Sequence, residues 1–279
     1  MPKLKFTQRI IRALAKLNVV IAPAVPLVLS LGTAPTIAAT LASSEAIVTI
    51  DNFSHNPFAS DVITDTFTST FATNGNVNAD AEAVSSFVTA PPSSFNSSFS
   101  SSDGSGNEYT GSAESFAGVL GNFSVNNGET FSFDFNANLN LATSIDNSQT
   151  EFANAGGTIS FAVYDTSNVD SWVLLDSFKV SSNVTTTGSD FLNFEGNSDR
   201  FNFYDVSLNP NFGGNGESAT ASTEGIFSRT FDRAANITLV EVKENRSSVA
   251  VPEPSIVIGT ILGIFVLGYR AWNQRVAVK

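Results

Sequence analysis

The side chains able to do chemistry are few in kind. The chain holds one histidine and no cysteine, so a thiol nucleophile, a disulfide staple and the usual zinc sites are excluded. A Ser–His–Asp triad needs an imidazole as its base. The only one, His55, lies in Asn52-Phe53-Ser54-His55-Asn56-Pro57, which reads as a polar turn after the first strand and makes it a solvated loop residue. No glycine-rich loop followed by lysine and no dinucleotide fingerprint occurs. The 26 acidic residues could supply a glycosidase pair, yet no spacing among them nominates two. The chain is therefore expected not to be an enzyme.

One acidic constellation has ligand spacing. Asp103, Ser105, Asn107, Tyr109, Gly111 and Glu114 fall at the oxygen-supplying positions of a calcium loop. Two features oppose it: Glu108 stands where the sharp turn needs glycine, and the flanks read as strand rather than helix. Asp103, Ser105, Asn107 and Glu114 are thus weak Ca2+ candidates, set against a plain solvated loop. Asp165 and Asp170, which bracket a hairpin loop, stand in the same position. No other cofactor is expected.

Short strands must position these residues. Phe131-Ser132-Phe133-Asp134-Phe135 alternates strictly and continues to Leu141, with Phe, Ala and Leu on one face and Ser, Asp and Asn on the other. Similar strands are predicted at 46–50, 61–72, 109–120, 158–164, 172–180, 201–208 and 237–243, the pair 158–164 and 172–180 as a hairpin. Turn-forming clusters lie between them at 74–76, 103–107, 126–128, 154–157 and 213–216. Asn78 to Val88 is a stretch where a short helix competes with strand, and Pro91 to Gly106, rich in Ser, Pro and Gly, reads as a mobile loop. The expected class is all-β, an antiparallel two-sheet β-sandwich of jelly-roll type over residues 43–245, with phenylalanine rings filling the space between sheets.

The ends differ from the middle. Lys3, Lys5, Arg9, Arg12 and Lys16 precede an apolar stretch broken by Pro23 and Pro26, and small residues follow with cleavage points after Ala39 or Ala42. This is a secretory signal peptide over 1–42, addressed to the general secretion machinery. At the other end Ile256 to Trp272 is about 17 residues, or about 25 Å as a helix, enough to span a thin bilayer. Tyr269 and Trp272 suit an interfacial belt, and Arg270, Arg275 and Lys279 act as a basic stop that places the tail (273–279) in the cytoplasm. Between the two labels six basic side chains face 25 acidic ones, a net charge of −19. So acidic a segment repels nucleic acid.

Residues 246–255 read as a linker carrying Pro252-Glu253-Pro254, where the two prolines prevent a helix from running backwards. The tripeptide, the short apolar helix (256–272) and the basic tail, in that order, resemble the PEP-CTERM sorting signal of exopolysaccharide-producing Gram-negative bacteria, cyanobacteria included. The resemblance covers 251–279. It implies that the exported protein is first held in the inner membrane, and that an exosortase-type membrane transpeptidase recognises Pro252, Glu253 and Pro254. Arg270 and Arg275 are separated by four residues, where the family carries a tighter arginine cluster. The Phe131–Phe135 strand and Ile237-Thr238-Leu239-Val240-Glu241-Val242 also resemble a set of cyanobacterial PEP-CTERM proteins, a likeness that implies no activity.

The function expected from these readings is that of an exported envelope or extracellular-matrix protein, structural, adhesive or in contact with exopolysaccharide. The alternative is a carbohydrate-binding module or hydrolase acting on extracellular polysaccharide, against which stands the single tryptophan (Trp172) between the two labels.

Overall fold

The computed structural model describes residues 39–196 and 199–251. The signal region up to Thr36-Ile37-Ala38, the Pro252–Pro254 motif, the apolar run 256–272 and Arg270, Arg275 and Lys279 lie outside the described residues. Ten strands follow in order: β1 (Ala39–Asp51), β2 (Ala59–Thr89), β3 (Pro92–Val125), β4 (Thr130–Ser144), β5 (Phe152–Asp165), β6 (Val173–Thr185), β7 (Phe191–Glu195), β8 (Phe201–Asn211), β9 (Gly216–Thr230) and β10 (Ala235–Val251). They form one antiparallel sheet in the order β7-β6-β5-β10-β3-β1-β4-β9-β8, with β2 laid against β3 off that path. The sheet rolls nearly into a barrel, and its end strands β7 and β8 come into contact. The described residues contain no helix.

The alternation in β4 places its side chains as predicted. Phe131, Phe133, Phe135, Ala137, Leu139 and Leu141 all point inward and are buried, while the residues between them face out or lie half-covered. Other rings meet them: Phe133 stacks on Phe227 of the adjacent β9 with centroids 5.3 Å apart, and Phe135 meets Phe161 of β5 across the interior at 5.3 Å. Phenylalanine suits this interior because it fills large volume and brings no polar atom that needs a partner. The expected hairpin is also present as β5–β6, with an irregularity at Val163/Tyr164.

β3 holds the sheet together. Its first part, Ser94–Ser105, pairs with β1, and its second, Tyr109–Val125, pairs with β10. β2 lines the other side of β3 throughout, from Ala59 opposite Asn122 to Thr89 opposite Pro92. The hairpin bends midway, where Gly106 (φ 91°) and Glu108 (φ 56°) take left-handed conformations. A Cβ at Gly106 would stand 3.0 Å from the Gly75 backbone, so the crossing also needs glycine for space.

Several expectations are corrected. Pro91–Gly106 is not a mobile loop, and Asn78–Val88 is strand, not helix: these residues are the two arms of the bent hairpin. The pattern in the first arm of β3 is inverted, with Ser94, Asn96, Ser98, Ser100 and Ser102 buried and Phe95 facing out. Asn154–Gly157 is strand within β5, paired with Asn245–Ser248 of β10 on one side and Ser182–Thr185 of β6 on the other. β10 continues to Val251 and is paired on both sides almost to that end, so the described part of the expected linker, 246–251, is strand. At the other boundary, Ala39–Ala42 already belong to β1, and Ala42 is fully buried.

Candidate functional site

The exposed side of the hairpin is the first place where chemistry could meet a partner. Among the described residues β2 pairs only with β3, so its other edge has no ladder partner there over most of 31 residues. On the stretch 62–72 Thr64, Thr66, Thr68 and Thr70 share one face, because strand side chains alternate. Ile63, Phe67 and Phe71 share the opposite face and remain 40%, 59% and 63% exposed. Asp61 and Asp65 stand on that same face and accept the backbone N–H of Val62 and Thr66. A row of hydroxyls backed by exposed rings has the chemistry of a contact surface rather than of a reaction centre.

His55 is less idle than the sequence implies. Its Nε2 lies 3.1 Å from Glu129 Oε2, and its Nδ1 lies 2.8 Å from Ser54 Oγ. Serine, imidazole and carboxylate therefore line up as in a triad, supplied by the turn after β1 and the turn before β4. The details are those of a clasp. Ser54 Oγ accepts the Ser132 N–H at 2.8 Å, which occupies a lone pair that nucleophilic attack would need, and sits 3.1 Å from the Thr130 carbonyl. Glu129 closes the Asn126–Gly128 turn, where Gly128 has φ 83°. Its carboxyl is pulled down to about 2, first by the Asn126 backbone N–H, then by His55 and the Asn126 side chain. The spacing in sequence gave no signal for Glu129, which arrives from 74 residues away.

A second charged group lies inside the roll. β10 turns Leu239, Glu241, Lys243, Asn245 and Ser247 toward the interior, and Glu241 and Lys243 are both fully buried. The opposite face of β10, Val240 and Val242, packs under a smaller apolar layer with Leu120, Ala162 and Tyr164. Lys243 Nζ donates to Glu241 Oε1 at 3.0 Å, and the Asn96 side-chain amide donates to Glu241 Oε2. Around this pair two hydroxyl pairs form, Ser44 with Ser100 at 2.7 Å and Ser102 with Ser247 at 2.9 Å, and Asn245 donates to the Ser98 carbonyl at 2.6 Å, while the Ser98 hydroxyl and Asn245 Oδ1 find no partner. This polar interior explains why the first arm of β3 is serine-rich inside. Alternation alone assigns Val240 and Val242 to the core and Glu241 and Lys243 to water, so sequence reasoning missed the cluster.

The calcium candidates do not converge. The backbone does turn at Glu108, but Asp103, Ser105 and Asn107 run along one extended arm, where Asp103 accepts from Asn78 at 3.1 Å. Glu114 lies beyond the bend, opposite Phe67 and Arg246. Asp165 is engaged by Arg233 at 2.8 Å and accepts the Ser167 N–H at 2.9 Å. Among the described residues no group of three or more His, Asp and Glu side chains is placed to hold a metal. Comparison of the chain with protein-family models, curated proteins and solved structures finds no match.

Proposed function

We propose that this chain is an exported, non-enzymatic envelope or extracellular-matrix protein with a structural, adhesive or polysaccharide-contact role. In this reading the apolar run 256–272 holds it in the membrane until an exosortase-type transpeptidase acts at Pro252-Glu253-Pro254. The observation that supports the reading is the residue that follows β10. β10 remains in its ladder to Val251, and the next residue is a proline, which has no N–H to continue it. Processing just beyond that point would release the barrel-like domain with its last strand intact. The rolled sheet is read as a jelly-roll-like two-layer sandwich, supported by the packing of β1 over β5 and β10 and of β4 over β5 and β6. Deleting Pro252–Pro254 from a tagged chain is expected to shift it from the released to the inner-membrane fraction. A full-length protein that is cytosolic, with both termini intact by mass spectrometry, would refute the proposal.

The carbohydrate-binding reading is favoured by one feature, the Thr64–Thr70 hydroxyl row with Phe67 and Phe71 on β2. An acidic domain carrying such a strip suits a neutral or cation-bridged polymer better than a polyanion. Pull-down on insoluble exopolysaccharide, lost in a Phe67→Ala/Phe71→Ala double variant, is the result expected under this reading.

A further inference from the structure

We propose that Lys243 and Asn96 become joined by an intramolecular isopeptide bond, with Glu241 as the catalytic residue that makes it. The geometry is that of a carboxylate bridging an amine and a carboxamide: one Glu241 oxygen accepts from Lys243 Nζ at 3.0 Å and the other from the Asn96 amide. All three side chains are fully buried. Glu241 and Lys243 belong to β10, whereas Asn96 belongs to the arm of β3 that pairs with β1, so the residues meet across the interior and not along one ladder. Along β10 the neighbours in register are apolar: Glu241 is flanked by Val119 and Phe161, and Lys243 by Ala117 and Ile159.

A buried ion pair adds little to stability, since the cost of removing both charges from water offsets their attraction. The same burial prepares a reaction. It lowers Lys243 to about 8, against the pull of the Glu241 charge, and raises Glu241. Both shifts favour the neutral amine and the neutral acid that the chemistry requires.

The step balances without an external reagent. Lys243 Nζ passes a proton to Glu241, and the freed amine attacks Cγ of Asn96, forming the new C–N bond. Glu241 hydrogen-bonds the tetrahedral centre and relays a proton to the departing amide nitrogen, the old Cγ–Nδ2 bond breaks, and ammonia leaves. No oxidation occurs. The pair begins as ammonium and carboxylate and ends as a neutral amide beside a protonated Glu241, which removes both buried charges. The product ties β10 to the opposite wall of the roll.

The test is a proteolytic digest of the folded full-length chain, sequenced by tandem mass spectrometry. The expected product is a branched peptide linking Lys243 Nζ to Asn96 Cγ, lighter than its two components by one ammonia. Recovery of Lys243 and Asn96 in separate linear peptides of unchanged mass would overturn the proposal. Asn96→Asp is expected to give the same branch with loss of water from the unlinked pair, and Glu241→Gln to give linear peptides only. A branch that persists in Glu241→Gln removes the catalytic role from Glu241. Should that variant fail to fold, Glu241→Asp is to be followed in time, with slower appearance of the branch expected and an unchanged rate counting against the role.

Discussion

At Glu129 a single carboxylate ties together two turns that are far apart in sequence, and its protonation reads out the clasp. A carboxyl lowered in the folded state favours folding while ionised, so its contribution is present above the ordinary value of 4.5 and is lost as pH falls from there toward about 2. Glu129→Gln is expected to lower Tm at neutral pH, with the gap to the parent chain closing across that acid window in thermal melts. Glu244 has the opposite sign. Burial, and then the charge of Glu114, raises it to about 7, so folding favours its protonated form. Its effect is absent well below 4.5, grows as pH rises through that value, and is complete above about 7. Glu244→Gln is therefore expected to raise Tm at pH 8 and leave it unchanged at pH 4. A gain that is equal at both values would mean the charge is not the cause.

Among the elements, β4 and β2 show how far side-chain type alone can be trusted. The rings of β4 are core, and Phe133→Ala removes one that touches Phe53, Phe131, Phe201 and Phe227. A loss of about 3–5 kcal/mol in urea unfolding is expected. The rings of β2 are exposed, and Phe67→Ala is expected to change stability by no more than about 0.5 kcal/mol. The strand period was legible in both, because alternation is a local property of the backbone. The covered face was legible in β4, where rings alternate with polar residues, but not in β2, because there it depends on what lies opposite. β10 shows the same limit. Its polar end reads as linker, yet truncation after Asn245 would remove Val249 and Val251 from the core and leave Tyr109–Glu114 of β3 and Phe152–Gly156 of β5 without their shared neighbour. Loss of the cooperative thermal transition is expected for that truncation, whereas a true linker would be dispensable.

For the whole molecule, β3 decides the shape. A strand that pairs with β1 over one part and β10 over the other, bent at Gly106 and Glu108, turns what would be two ladders into one rolled sheet. Replacement of Gly106 by valine is expected to impair this closure, seen as a lower Tm and faster proteolysis in the hairpin, since the bend requires both positive φ and the absence of a Cβ. The roll brings the second arm of β2 over the first at one point, where the Ser85 hydroxyl sits 3.4 Å from the Ile63 carbonyl. It also brings Asn96 to Glu241 across 145 residues of chain.

The amino-acid sequence by itself determined the all-β class, the phenylalanine face of β4, the β5–β6 hairpin and the turns at 126–128 and 213–216, since each follows from interactions between residues close along the chain. Tertiary structure alone decided that serines of β3 and the Glu241–Lys243 pair would lie inside while Phe67 and Phe71 remained in solvent, and that Glu129 would reach His55. The reason is physical: polarity fixes what a side chain costs to bury, but only the strands packed against it supply the partner that offsets the cost.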